Sequence, residues 1–108
     1  GLFYYANQKR LSWFGEGDED SGPHGIGAGL RKVDGGAEVV DVLEGSGAQK
    51  AGLQAGDIIY AVDGHSVREM SLDAITRRIQ GPADVPVRLS CEREGSEHFD
   101  LRVQRGRI

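Results

Sequence analysis

The chain has 108 residues, 38% of them hydrophobic and 28% charged, with a formal net charge of -4, which suits one soluble globular domain with a modest core. Its apolar runs are too short to span a bilayer as a helix. The acidic balance argues against a nucleic-acid partner, although Arg77, Arg78, Arg102, Arg105 and Arg107 read as small basic spots on the surface.

Residues 1–24 differ from the rest. The stretch "LFYYANQKRLSWF" holds most of the aromatic side chains, and "GEGDEDSGPHG" follows as an acidic, glycine-rich connector. We therefore expect an aromatic segment and linker over 1–24 and a folded domain over 25–108. Glu16, Asp18, Glu19 and Asp20 lack the ligand spacing and the closing Glu of a calcium loop, so they read as a solvated charge run. The aromatic segment fits two roles equally well, an extra hairpin or the edge of a neighbouring domain. The opening "GLFYY" has neither an initiator Met nor the order of a signal peptide, and the expectation is a piece of a longer protein.

From Gly25 onward, short apolar segments alternate with turns. "GIGAGLRKV" reads as extended, "DGG" at 34–36 as a turn, and "AEVVDVL" as a second strand of the same hairpin. In "GSGAQKAGL", Ser46 is placed to cap a helix of one or two turns that Gly52 ends in the left-handed conformation. "GDIIYAVDGHSV" predicts a strand, a tight turn at Asp63-Gly64 and a brief strand. "SLDAITRRIQG" is the clearest helix. Ser71 caps it, Gly81-Pro82 stops it, and Leu72, Ile75, Thr76 and Ile79 form one stripe at i, i+3, i+4 and i+7. "VPVRLSCER" and "HFDLRVQR" alternate around "EGSE" as a last antiparallel pair. Cys91 is the only cysteine, which excludes an internal disulfide, and it reads as a small apolar side chain on a strand face. The tally is mainly β with two helices, an α+β pattern of five or six strands, one short helix and one longer one.

The stretch "HGIGAGL" at 24–30 places glycines at 25, 27 and 29. A dinucleotide site would need them to follow a strand and open a helix, and "LRKVDGG" opens none. The other use is a loop whose backbone N–H groups converge on an anion and lead into a strand with an unpaired edge. Such a loop would hold a carboxylate.

Together, "GIGAGL", "EGSGAQKAGLQAGDIIYAVDG" and "SLDAITRRIQG" resemble a bacterial PDZ domain over roughly residues 25–105. The middle string follows a family pattern of the form GSPAxxAGLxxGDxIxxVxG, with Gly47 where proline is usual. Within the family the likeness is to the PDZ domain of carboxyl-terminal processing proteases, in which "GIG" opens the domain and an R-x-x-I close like Arg105 to Ile108 is familiar. The resemblance implies a partly open antiparallel barrel or sandwich capped by the two helices. It implies a peptide groove between the strand from Ala28 and the helix Leu72 to Ile79. Gly25, Ile26, Gly27 and Ala28 would bind the carboxylate of a peptide tail, and Gly29, Leu30, Leu72, Thr76 and Ile79 would line the groove. The small Ala28 implies room for a larger last side chain. Leu72 stands where relatives that prefer Ser or Thr upstream carry His, which implies an apolar preference there. Residues 1–20 are free in principle to occupy this groove or to extend the sheet.

His24, His65 and His98 are scattered and offer no metal spacing, so they read as surface histidines. No serine lies in a G-x-S-x-G elbow. No catalytic residue, metal or cofactor is expected within the chain. The implied partners are C-terminal peptides with apolar tails and a neighbouring protease or scaffold domain. The function so implied is tail recognition by strand addition for a carboxyl-terminal processing serine protease in a bacterial periplasm or envelope. The alternative is a structural or assembly PDZ domain, of a secretion component or an aspartyl protease, with its groove covered.

Overall fold

The computed structural model describes residues 11–14, as backbone, together with 25–95 and 97–106. The chain order is β1 (Leu11–Phe14), β2 (Ala28–Val33), β3 (Gly36–Val42), α1 (Gly47–Ala51), β4 (Ile58–Val62), β5 (His65–Ser66), α2 (Leu72–Ile79), β6 (Val87–Arg93) and β7 (Glu97–Val103). The strands form one antiparallel sheet in the order β1-β2-β3-β4-β6-β7, with the two-residue β5 attached to β4. The sheet is not closed, and the mainly β, two-helix architecture expected from the turn spacing is the one found. The linker reading of 15–24, the charge run within it, His24, Arg107 and Ile108 lie outside the described residues.

The hairpin of β2 and β3 closes at Val33 opposite Gly36. Near its start the register slips. Gly29 faces Asp41 while Leu30 faces Val39, a bulge that increases the local twist just after the glycine stretch. Ser46 caps α1 by accepting the N–H of Gln49 at 3.1 Å, while the Gln49 side chain takes the N–H of Gly45 at 2.7 Å. Gly52 ends α1 at φ +96. Two donors at the helix start are thus satisfied by side chains.

Inward-facing residues of β2, β3, β4, β6 and β7 pack with Ile75 and Ile79 of α2 and Ala48 of α1 in one buried cluster. Each fully buried Ile, Leu or Val in such a cluster contributes about 1.5–3 kcal/mol. Asp57, only 1% exposed, is a buried acidic side chain. It holds the Arg93 guanidinium through two contacts, at 2.7 and 2.8 Å, and accepts the N–H of Gln54 at 2.9 Å. Hydrogen bonding to this carboxylate raises the affinity of Arg93 for its proton. The pair ties the loop after α1 to the end of β6.

The departure at Gly47 has a steric cause. A Cβ there would lie 2.1 Å from the Gln104 carbonyl oxygen just after β7. The helix start therefore sits directly on the backbone that follows the last strand. Gly47→Ala, and Gly47→Pro, which would restore the family pattern, are both expected to destabilise the fold by about 1–3 kcal/mol in urea denaturation.

Cys91 points into the core from β6, as expected. Burial, helped by the nearby Asp57 charge, pushes its thiol up to about 12. The folded thiol therefore keeps its proton where the unfolded one, near 8.5, has lost it. Below that window it adds no pH dependence, and from about pH 9 towards 12 it makes stability fall as pH rises. Cys91→Val should flatten the fall seen in urea midpoints across that range; identical slopes in the two proteins would contradict this.

Candidate functional site

The glycine loop is built by engaging its carbonyls. The Gly25 oxygen accepts the N–H of Gly106 at 3.1 Å, the Ile26 oxygen that of Ala48 at 3.0 Å, and the Gly27 oxygen that of Leu43 at 2.9 Å. The chain end, the first turn of α1 and the end of β3 thus hold three successive peptide groups. Gly27 has φ +85, a left-handed conformation that a side chain would strain. Among the described residues no acceptor is found for the N–H groups of Ile26 and Gly27. Buried amides of this kind call for a partner.

The element expected to form the second wall is α2. Ser71 accepts the N–H of Ala74 at 3.2 Å and so caps the helix as the sequence predicts. Ile75, Thr76 and Ile79 face inward. The Thr76 hydroxyl donates to the Asp73 carbonyl at 2.9 Å and is thereby satisfied within its own helix. Ile26, Ala28, Leu30 and Ile79 lie together in the buried cluster, with the half-buried Leu72 packed against it. Of the expected groove residues, Leu30 and Ile79 thus belong to the same buried cluster as Ile26 and Ala28, and α2 lies against β2. A cleft of about 420 Å³ near Asp41, Val42, Gln49 and Leu53 contains none of them. His65 and His98 are exposed, and among the described residues no cluster of metal-ligating side chains occurs.

Two features differ from the sequence reading. First, the edge of β2 expected to be unpaired carries β1, which runs antiparallel to it with Leu11 opposite Arg31 and Phe14 opposite Ala28. A bare strand edge is a pairing template, and the segment before it in the chain fills it. Second, Arg105 is no surface spot. It is buried, and its guanidinium donates to the carbonyls of Ile79 at 2.7 Å, Val85 at 3.2 Å and Arg78 at 3.4 Å. It caps the carbonyls at the end of α2, while Arg77, Arg78 and Arg102 are exposed as expected. The one sequence signal for it was the helix stop at Gly81-Pro82, which leaves such carbonyls in need of donors.

Residues 38–93, from β3 through β6 and including α2, match the PDZ domain family. The chain belongs to the PDZ domain family. A probable CtpA-like serine protease of Staphylococcus saprophyticus is 32% identical over 104 residues, which cover 96% of this chain and 21% of that protein. The chain thus spans about a fifth of the curated relatives it matches. Among solved structures, the photosystem II D1 C-terminal processing protease superposes with a TM-score of 0.74 at 30% identity, covering 82% of this chain and 25% of that one. The PDZ domain of a carboxy-terminal protease from Vibrio cholerae, solved in complex with a peptide, superposes with a TM-score of 0.70 at 27% identity, covering 78% of this chain and 94% of that one. This PDZ domain is therefore of the kind found in CtpA-like proteases.

In this PDZ domain Arg105 fixes the C-terminal end of α2. Arg105→Met should remove its hydrogen bonds to main-chain carbonyls and cost about 2 kcal/mol or more of stability. Arg105→Lys should recover part of that loss in the same denaturation series.

Proposed function

We propose that this PDZ domain binds the free C-terminal tail of another polypeptide, with apolar residues at its end, by strand addition to β2. It does so as the recognition or regulatory part of a bacterial carboxyl-terminal processing protease. The observation that carries this reading is the pair of buried N–H groups at Ile26 and Gly27, without acceptors among the described residues, at the start of β2. A tail carboxylate accepting them gains charge-assisted hydrogen bonds of about 1.5–3 kcal/mol each, before the cost of ordering the peptide. The pairing of β1 supports the rest, because the outer edge of β2 accepts an antiparallel strand. Ile26, Ala28, Leu30 and Ile79 then line the site of the last side chain, Leu72 selects an apolar one further upstream, and Thr76 sits between them.

That the Vibrio cholerae PDZ domain was solved in complex with a peptide supports a peptide partner by likeness. The chemistry of the parent would reside outside these residues, with the chain itself supplying neither catalytic group nor cofactor, in a protein of the bacterial envelope. A second reading is favoured by β1 itself. An edge already occupied suits a structural or assembly domain whose groove stays covered.

Titration of the chain with hydrophobic peptides, as free acids and as amides, separates the two. Binding of the acids alone is expected, and no dependence on the carboxylate would favour the structural reading. Gly27→Val should abolish tail binding while the circular dichroism of the fold persists. Leu72→His should move peptide-array selection towards Ser or Thr upstream of the last residue, and unchanged selection would count against the helix register.

A further inference from the structure

We propose that Leu11–Phe14 is a built-in, displaceable occupant of the groove, which a free tail must displace in order to bind. This rests on the tail-binding reading above and adds how the site is regulated.

The placement of β1 is that of a ligand. It runs antiparallel to β2, with Ser12 opposite Leu30, Trp13 opposite Gly29 and Phe14 opposite Ala28. It touches α2 as well as β2, so it lies between the two walls of the groove. Its direction brings its C-terminal end to the first residue of β2, beside the Gly25–Gly27 loop. A tail bound in the same register would put its last residue at the place of Phe14 and its carboxylate towards the N–H groups of Ile26 and Gly27.

What β1 lacks is the charge. In the intact chain Phe14 continues through a peptide bond to Gly15, so the occupant supplies a strand ladder but no terminal carboxylate. A free tail supplies both. The advantage of the occupant is its tether through residues 15–24, since a short covalent connection sets an effective concentration in the millimolar range. The two effects oppose one another. A tail that gains only the strand ladder leaves β1 in place, whereas a tail that also brings a carboxylate takes the edge. Apparent affinity is then reduced by the fraction of molecules whose groove is open.

The test uses the full 108-residue chain and a labelled peptide, Gln-Lys-Arg-Leu-Ser-Trp-Phe with a free carboxylate, which copies residues 8–14. Ser12→Pro and Trp13→Pro are prepared separately. Strand N–H groups alternate between edges, so one of the two removes a ladder donor. The expected result is that the wild-type chain binds the probe and that at least one proline variant binds it tenfold or more tightly. Saturating probe should also strip hydrogen-exchange protection from residues 11–14 of the wild-type chain while β2 stays protected.

Equal, tight binding by all three proteins would overturn the occupant while leaving tail binding intact. Bound probe with residues 11–14 still protected would also overturn it. If none of the three binds the probe, or if the amidated probe binds as well as the acid, the tail-binding reading falls and the inference falls with it.

Discussion

The structure turns on the engagement of three successive carbonyls, those of Gly25, Ile26 and Gly27, by N–H groups from three distant parts of the chain. A loop held through its carbonyls cannot rotate its peptide planes without breaking core hydrogen bonds. The N–H groups between them are therefore fixed in direction before any ligand arrives. Such preorganisation lets a few backbone donors compete with water for a carboxylate, because little ordering remains to be done on binding. The left-handed Gly27 is the residue that permits this course.

The remainder of the fold serves to keep that loop and its facing helix in register. The bulge at Gly29 and Leu30 adds local twist to β2 just after the loop. Gly47 lets α1 close onto the backbone after β7, so that Ala48 can reach the Ile26 carbonyl. Arg105, from the same region, holds the opposite end of α2. One short stretch, Gln104 to Gly106, thus touches α1, α2 and the glycine loop. Disturbance there would reach α1, α2 and the glycine loop together, which makes this stretch after β7 a structural hub.

Much of this was legible beforehand, and for identifiable reasons. Ser46, Gly52 and Ser71 carry their cap chemistry locally, so the helix ends could be read from a few neighbouring residues. Asp34-Gly35 and Asp63-Gly64 did the same for the turns. The stripe Leu72, Ile75, Thr76, Ile79 fixed the inward face of α2. What was hidden depended on partners far apart in sequence. Arg105 is chemically identical to its exposed neighbour Arg102, and only its encounter with the end of α2 distinguishes them. The Asp57–Arg93 pair joins a loop residue to the end of a strand 36 residues away in the same way. The place of Leu11–Phe14 was open because a four-residue strand beside a free edge has no local signature of its own. The expected bare edge was wrong for that reason.

The most direct test of the central claim is an amide proton spectrum of the chain, recorded as a hydrophobic peptide is added first as its amide and then as its free acid. A charge-assisted hydrogen bond should move the Ile26 and Gly27 amide signals downfield with the acid and leave them nearly still with the amide. If those two signals respond equally to both peptides, or to neither while others shift, the glycine loop does not receive the carboxylate.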